Sequence, residues 1–312
     1  DASLPAYHDY SKFLGCGSGQ AELMGVEAWQ PSWRAPMQKN HTYYPDDVYL
    51  ADSWRDLEGT DNDRSGYIPT VTPHGTIRLR LRNEVILDMT VDSAVRVANM
   101  KYNIVLALSR TGGAAALIHP NGRVYHYGSR VEIQARPQTG NNRYAKMWYK
   151  GVSFTAEECS LVYLVDSAGT RTTTDTFVNM NMDFSQNVFY NDSNHGMAQV
   201  NRALSLVQHT DYWLSDDHTD NWIINNVRIS QTGDGLVRIH RCSHKFQMRT
   251  SPSNGSASIT SPFIHCTASM GQTKHLFVRR GERRMHFDGS SFIVRNAGHS
   301  AGFDDKNQLK VY

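Results

Sequence analysis

The sequence predicts a mainly β protein made of antiparallel hairpins and meanders, with one amphipathic helix near 197–214. Short runs of alternating or continuously apolar residues fill the segment 76–134, which is the pattern of strands in an antiparallel sheet. Clusters of Gly, Asn and Pro separate these runs, as turns do. Apolar residues at convincing helical spacing occur in one segment, which begins at Met197.

The predicted strands of the segment 76–134 differ in how many of their faces we expect to be buried. Ile77, Leu79 and Leu81 alternate with arginines, so we expect one apolar and one charged face. The run 102–108 is apolar nearly throughout, which indicates a central strand that is covered on both faces. The strands that we predict here are 76–81, 85–89, 95–97, 102–108, 114–119, 123–127 and 130–134.

The helix prediction depends on the spacing of its apolar residues. Met197, Val200, Leu204, Val207 and Leu214 recur at roughly helical intervals. We expect this apolar face to close one side of a sheet.

The chain divides into four segments on these patterns. Residues 1–66 read as an extended arm with a short helix and an Asp-rich loop. Residues 67–183 form a first β module, 184–220 a helical connection, and 221–312 a second β module.

A sequence echo bears on whether the two modules are related. Gly75–Leu79 and Gly235–Ile239 share a turn glycine, a spacer, a β-branched residue, an arginine and an aliphatic residue. Two related modules would explain this pattern. A single large β fold with recurrent hairpins would explain it too, because any meander reuses the same turn residues.

Composition limits the classes of function. The 312 residues are 39% hydrophobic with a formal net charge of +2, so a core is expected and any anion-binding surface must be a local patch. Four cysteines without a Cys-x-x-Cys pair favour a reducing compartment, and hence a cytoplasmic or cytoskeletal location. Three glycosylation sequons point to the alternative, a secreted protein.

An Asp-rich loop is the first candidate site. The stretch 61–68 resembles the first part of an EF-hand calcium loop, with Asp61, Asp63 and Ser65 at alternate ligand positions and Gly66 at the turn. The resemblance implies a Ca²⁺ site at these residues. The alternative is a turn that caps itself through its aspartates.

Two cation-rich stretches are candidates for anion binding. Four arginines, at 279, 280, 283 and 284, cluster around one hairpin tip, and guanidinium forks match phosphate or carboxylate. A charged hairpin end that keeps a sheet edge soluble is the alternative.

The second stretch interleaves aromatic and cationic residues. Arg143, Lys146, Trp148 and Lys150 would suit single-stranded nucleic acid, because aromatic rings stack bases while cations hold phosphates. An amphipathic strand explains the same alternation.

One stretch suggests a family. The residues from His119 to Gly128 look like the Pro-Asp/Asn-Gly strand-turn-strand ribbons of centriolar and axonemal β-repeat proteins, and of MORN-type repeats. The resemblance implies a scaffold that pairs with other proteins, cytoskeletal ones among them, and it carries over no catalytic residue.

We therefore expect a non-enzymatic structural or protein-interaction protein that has no cofactor apart from the Ca²⁺ site above. No sequence motif of a known catalytic class appears in the chain. The first alternative is nucleic-acid or anion binding through the Arg-rich hairpin. The second is a hydrolase, for which one local cluster of histidine and aspartate is available: His209, Asp211, Asp217 and His218.

Overall fold

Antiparallel strands dominate the structure, a computed structural model that describes residues 68–242 and 244–312. It confirms the predicted fold class, with two antiparallel sheets of 12 strands each. The predicted arm at 1–66 lies outside the described residues, and so do the proposed calcium ligands Asp61, Asp63 and Ser65.

Each sheet is a simple meander, because every strand pairs with its neighbours in sequence. The strands of the first sheet are β1 Thr70–Val71, β2 Ile77–Leu81, β3 Val85–Met89, β4 Val95–Asn99, β5 Ile104–Leu108, β6 Ala114–His119, β7 Gly122–Tyr127, β8 Arg130–Ala135, β9 Arg143–Trp148, β10 Gly151–Ala156, β11 Val162–Asp166 and β12 Gly169–Thr173. The strands of the second sheet are β13 Asp211–Leu214, β14 Asp220–Ile224, β15 Val227–Gln231, β16 Val237–Arg241, β17 Phe246–Thr250, β18 Ala257–Thr260, β19 His265–Ser269, β20 His275–Arg280, β21 Arg283–Phe287, β22 Phe292–Asn296, β23 His299–Phe303 and β24 Leu309–Val311.

Two α-helices lie between the sheets in sequence. They are α1, Phe184–Tyr190, and α2, Val200–Gln208, which a short 3-10 turn at Met197–Gln199 precedes. Another 3-10 turn, Met100–Tyr102, links β4 to β5.

The helix predicted near 197–214 ends earlier than expected. Its last four residues instead form β13, which pairs with β14 and starts the second sheet inside the predicted connection. Pairing with the next strand in a hairpin therefore prevails over the helical spacing of Leu214. Met197 is 85% exposed and Leu204 is 45% exposed, whereas Ala203 is fully buried, so the buried face also differs from the predicted one.

The two sheets share one hydrophobic core. The inward-facing side chains of both sheets belong to a single cluster of buried residues. Phe154 of β10 meets Phe303 of β23, with ring centroids 5.4 Å apart in an edge-on arrangement. The sheets therefore pack face to face, and each has one inner and one outer face.

Polar side chains bridge the sheets at the margin of this core. Arg82 of the first sheet pairs with Asp220 of the second at 2.7 Å. The buried guanidinium of Arg241 donates to the carbonyl oxygens of Ser93 and Ser109. These bonds give the buried cations partners and fix the sheets against each other.

Candidate functional site

The outer face of the second sheet carries many cations. In β15 to β22 most apolar side chains point into the core, so alternation sends the intervening residues outward. None of these eight strands contains Asp or Glu. We call this surface the cationic face and define it by its outward-facing arginines and histidines: Arg228, Arg238, His240, Arg249, His265, His275, Arg279, Arg284, His286 and Arg295.

Three exposed arginines form a row across the cationic face. The strand register places Arg284 of β21 directly opposite Arg279 of β20 and Arg295 of β22. Within the part of the chain that the structure describes, no carboxylate forms an ion pair with any of the three. Like charges directly opposite each other destabilise a sheet, so this arginine row favours an anionic partner.

A second row, two residues further along each strand, is less polar. It places His286 opposite Phe277 and Ile293, and the rings of Phe277 and His286 are 6.4 Å apart. Because a strand rises by about 3.4 Å per residue, this apolar row lies about 7 Å from the arginine row. A concavity of about 230 Å³ joins the two rows, and its lining comprises Phe277, Arg284, His286, Ile293 and Arg295.

The arginines supply the permanent charge of the cationic face. Burial lowers the pKa of His265, and the neighbouring Arg279 lowers it further. Burial likewise lowers the pKa of His240, and His244 adds to the effect. These two imidazoles are therefore neutral at pH 7 and act there as hydrogen-bonding groups.

The structure divides the four arginines predicted at 279, 280, 283 and 284. Arg279 and Arg284 point outward into the arginine row. Arg280 and Arg283 point to the other side of the sheet, where they donate to the carbonyl oxygens of Ser129 and Tyr149. Only half of the predicted cluster is thus available to a ligand on the cationic face, because neighbouring residues of a strand face opposite ways.

The predicted aromatic-cation strand forms internal contacts. Arg143 is buried between the sheets and donates to the carbonyl oxygens of Ser290 and Asp304. Trp148 donates to the hydroxyl of Ser153 at 2.9 Å. The ammonium group of Lys150 lies 5.0 Å from the Trp148 ring. The amphipathic-strand interpretation therefore describes this segment better than an open nucleic-acid platform.

Lys146 of the same strand belongs to a buried ionisable cluster on the outer face of the first sheet. It forms an ion pair with Asp175 and lies opposite Glu132 in the register of β8 and β9. Burial raises the pKa of Glu132 to about 7; Lys146 opposes this shift and Asp175 adds to it. The Tyr127 hydroxyl donates to the Glu132 carboxylate at 3.4 Å.

The chain itself covers much of the outer face of the first sheet. Phe184 and Val188 of α1 pack against Ala107 and Ala116, whose small side chains leave room for the helix. The Phe184 ring stacks on Tyr125 with centroids 4.3 Å apart. The first sheet therefore contributes its outer face to folding, whereas the arginine row on the second sheet stays exposed.

The histidine and aspartate cluster of the hydrolase alternative does not assemble among the described residues. No hydrogen bond or ion pair of the described chain joins His209, Asp211, Asp217 and His218 to one another. The His209 ring bonds to the Ser205 carbonyl oxygen at 2.7 Å. A search of the described residues for three or more His, Cys, Asp or Glu that could hold a metal ion found none.

Sequence reasoning missed four residues of the concavity: Phe277, His286, Ile293 and Arg295. The signal was present, because alternation in 275–280 and 283–287 puts Phe277 and His286 on the face of Arg279 and Arg284. The sequence does not show the register between β21 and β22, which places Arg295 opposite Arg284 and Ile293 opposite His286.

A family model matches residues 68–309, which is most of the chain and spans both sheets apart from the last two residues of β24. The chain belongs to the family described as Domain of unknown function (DUF8796). Among curated proteins no sequence matches it. Within the described part of this DUF8796 chain, no helix is long and apolar enough to cross a membrane.

Two solved structures to which this DUF8796 chain is similar match it only distantly. One is the wild-type TCP10 domain of Danio rerio CPAP, at 10% identity and a TM-score of 0.20, covering 78% of this chain and 98% of that chain. Another is the same domain in complex with a peptide of Danio rerio STIL, at 11% identity and a TM-score of 0.19, again covering 78% and 98%. TM-scores this low support no inference about fold or partners.

Proposed function

We propose that this DUF8796 protein is a protein-binding β scaffold whose cationic face docks an acidic segment of a partner protein. The observation that carries the proposal is the arginine row, defined above as Arg279, Arg284 and Arg295. Three exposed guanidinium groups stand opposite one another, and no carboxylate of the described residues forms an ion pair with them. A partner that supplies carboxylates would relieve their repulsion and gain charge-assisted hydrogen bonds.

The composition of the face favours a protein over a nucleic acid. The strands β15 to β22 contain arginine but no lysine, and the guanidinium fork matches a carboxylate and a phosphate equally, so the arginines alone fit either partner. Phe277 is the one Phe, Tyr or Trp that points outward from these strands, whereas stacking platforms for bases use several rings.

The scaffold keeps the arginine row in one geometry. Buried side chains such as Val278, Met285 and Val294 anchor the same three strands in the core. A surface that is fixed before binding loses little conformational entropy when the partner docks.

Reversing two charges of the row tests the proposal. The probe is a fluorescently labelled peptide in which glutamate alternates with serine, and its anisotropy reports binding to the whole chain. We expect the double variant Arg284→Glu, Arg295→Glu to weaken binding by at least about tenfold, because two attractive pairs become repulsive. Binding by the unaltered protein should also weaken as salt rises, since the pairs are exposed.

The matched control is Arg202→Glu, which changes an exposed arginine of α2, outside the cationic face. This variant should bind the peptide as the unaltered protein does. Equal affinity of the double variant and the control would refute the proposal. So would the absence of any peptide binding at low salt.

Single-stranded nucleic acid is the second candidate, because Phe277 stands beside arginines on an open sheet. A labelled oligothymidylate distinguishes it in the same assay. Binding of this strand that Phe277→Ala abolishes, together with no binding of the acidic peptide, would favour nucleic acid.

A further inference from the structure

We infer that the arginine row and the apolar row together form a subsite for a phosphorylated tyrosine side chain of the docked segment. The inference rests on the proposed function and names the chemistry of its anchor. The arginine row would bind the phosphate, and Phe277 and Ile293 would contact the ring.

The charge of the row fits a phosphate better than a carboxylate. Arg284 has an arginine directly opposite it on each side, so three guanidinium groups share one short stretch of surface. A carboxylate brings one negative charge, whereas a phosphate monoester brings about 1.5–2 charges at neutral pH and three acceptor oxygens. Ser300 stands opposite Arg295 on β23 and places a hydroxyl at the end of the row.

The distance between the rows selects an aromatic carrier. The anion and the apolar surface lie about 7 Å apart along the strands, so the ligand needs a flat apolar body with its charge at the far end. Phosphotyrosine has that form. Phosphoserine carries its phosphate next to the backbone and offers no ring to Phe277 and Ile293.

The side chains around the concavity suit an anion. His286 lies within the lining, and His265, opposite Arg279, is neutral because its pKa is lowered by burial. Both imidazoles have ring nitrogens that are able to donate to phosphate oxygens. The strands that supply the lining, β20 to β22, contain no carboxylate, and Asp288, just beyond the end of β21, interacts electrostatically with His286.

Peptides of one sequence that differ at one position test the inference. The position carries tyrosine, phosphotyrosine, sulfotyrosine, phosphoserine or glutamate, and fluorescence anisotropy gives the affinity of the whole chain for each. We expect phosphotyrosine to bind about tenfold to a hundredfold more tightly than tyrosine, which is the range of charge-assisted hydrogen bonds. Sulfotyrosine should bind more weakly than phosphotyrosine because it carries a single charge.

Two variants separate the halves of the subsite. Arg284→Ala should remove the preference for phosphotyrosine over tyrosine. Phe277→Ala should remove the preference for phosphotyrosine over phosphoserine and leave the phosphoserine affinity within about twofold. The matched control is Arg202→Ala, an exposed arginine of α2 outside the cationic face and the concavity, which should leave both preferences unchanged. Circular dichroism verifies that each variant keeps its β-sheet spectrum.

The outcomes distinguish the two proposals. Equal affinities for the phosphotyrosine and glutamate peptides would overturn the phosphotyrosine subsite and leave the acidic docking surface in place. Equal affinities for phosphotyrosine and phosphoserine would overturn the role of the apolar row, and with it the inference. If no peptide binds, both proposals fall.

Discussion

Replacing Phe154 by alanine is expected to lower the free energy of unfolding by about 3–5 kcal/mol, the usual cost of truncating a buried aromatic residue. Phe154 is fully buried on β10 of the first sheet. Its ring meets Tyr163 on β11 and Phe303 on β23, each with centroids 5.4 Å apart. Truncation would leave a cavity where the two sheets meet, and urea unfolding followed by circular dichroism measures the loss.

Two further variants provide comparisons for the loss of stability expected of Phe154→Ala. Phe154→Leu keeps most of the apolar volume and should cost clearly less than alanine. Tyr149→Ala removes an aromatic ring that is 69% exposed and should leave the stability nearly unchanged. If Phe154→Ala were as stable as Tyr149→Ala, the face-to-face packing of the sheets at this position would be wrong.

The sequence predicted the strands well because hairpins are local. Ile77, Leu79 and Leu81 alternate as expected and are buried, and the run at 102–108 contains the buried strand β5. The packing of one sheet against the other depends instead on contacts between residues about 150 positions apart, such as Arg82 with Gln231. No pattern within a short window of sequence contains that information.

The sequence pattern that two stretches share did not predict equivalent positions for them in the two sheets. Gly75–Leu79 leads into β2, the second strand of the first sheet, whereas Gly235–Ile239 leads into β16, the fourth strand of the second sheet. The two stretches thus occupy different places in their meanders. Both begin with a glycine at positive φ, which a tight turn before a strand requires.

Only part of the candidate site could be predicted from the sequence, because the rest depends on the pairing of strands. The sequence shows that four arginines cluster around one hairpin. Because neighbouring residues of a strand face opposite ways, Arg279 and Arg284 lie on one face of the sheet and Arg280 and Arg283 lie on the other. The neighbouring strand contributes Arg295 through register alone. A site formed by three neighbouring strands depends on how those strands pair in the sheet. The sequence pattern alone identifies only one hairpin of this site.

The two sheets differ in how far the chain covers their outer faces. The first sheet places Ala107 and Ala116 where α1 packs, and buries Lys146 with Asp175. The second sheet keeps its arginine row exposed at the cost of like-charge repulsion between neighbouring strands. Among the described residues no carboxylate forms an ion pair with the arginine row, which is why the cationic face is the candidate site.

Replacing Glu132 by glutamine is expected to stabilise the protein above pH 7 by about 3 kcal/mol and to have little effect below pH 4.5. Burial raises the pKa of Glu132 from its usual 4.5 to about 7 in the folded protein. The unfolded chain therefore loses this proton first, and each unit of pKa difference is worth about 1.36 kcal/mol. Stability from the protonated carboxyl is complete below pH 4.5 and is lost as the pH rises to about 7.

The surroundings of Glu132 explain the direction of this effect. Lys146 and Asp175 already form a neutral pair beside it, so ionised Glu132 would leave one uncompensated negative charge under the covering chain. Glutamine keeps the shape of the side chain and an oxygen that accepts from the Tyr127 hydroxyl. Unfolding free energies at several pH values, measured for both proteins, give the difference directly.

The control is Glu282→Gln, at an exposed turn between β20 and β21, which should change stability little at any pH. A difference between Glu132→Gln and the unaltered protein that did not grow between pH 4.5 and 7 would show that Glu132 is ionised in the folded state.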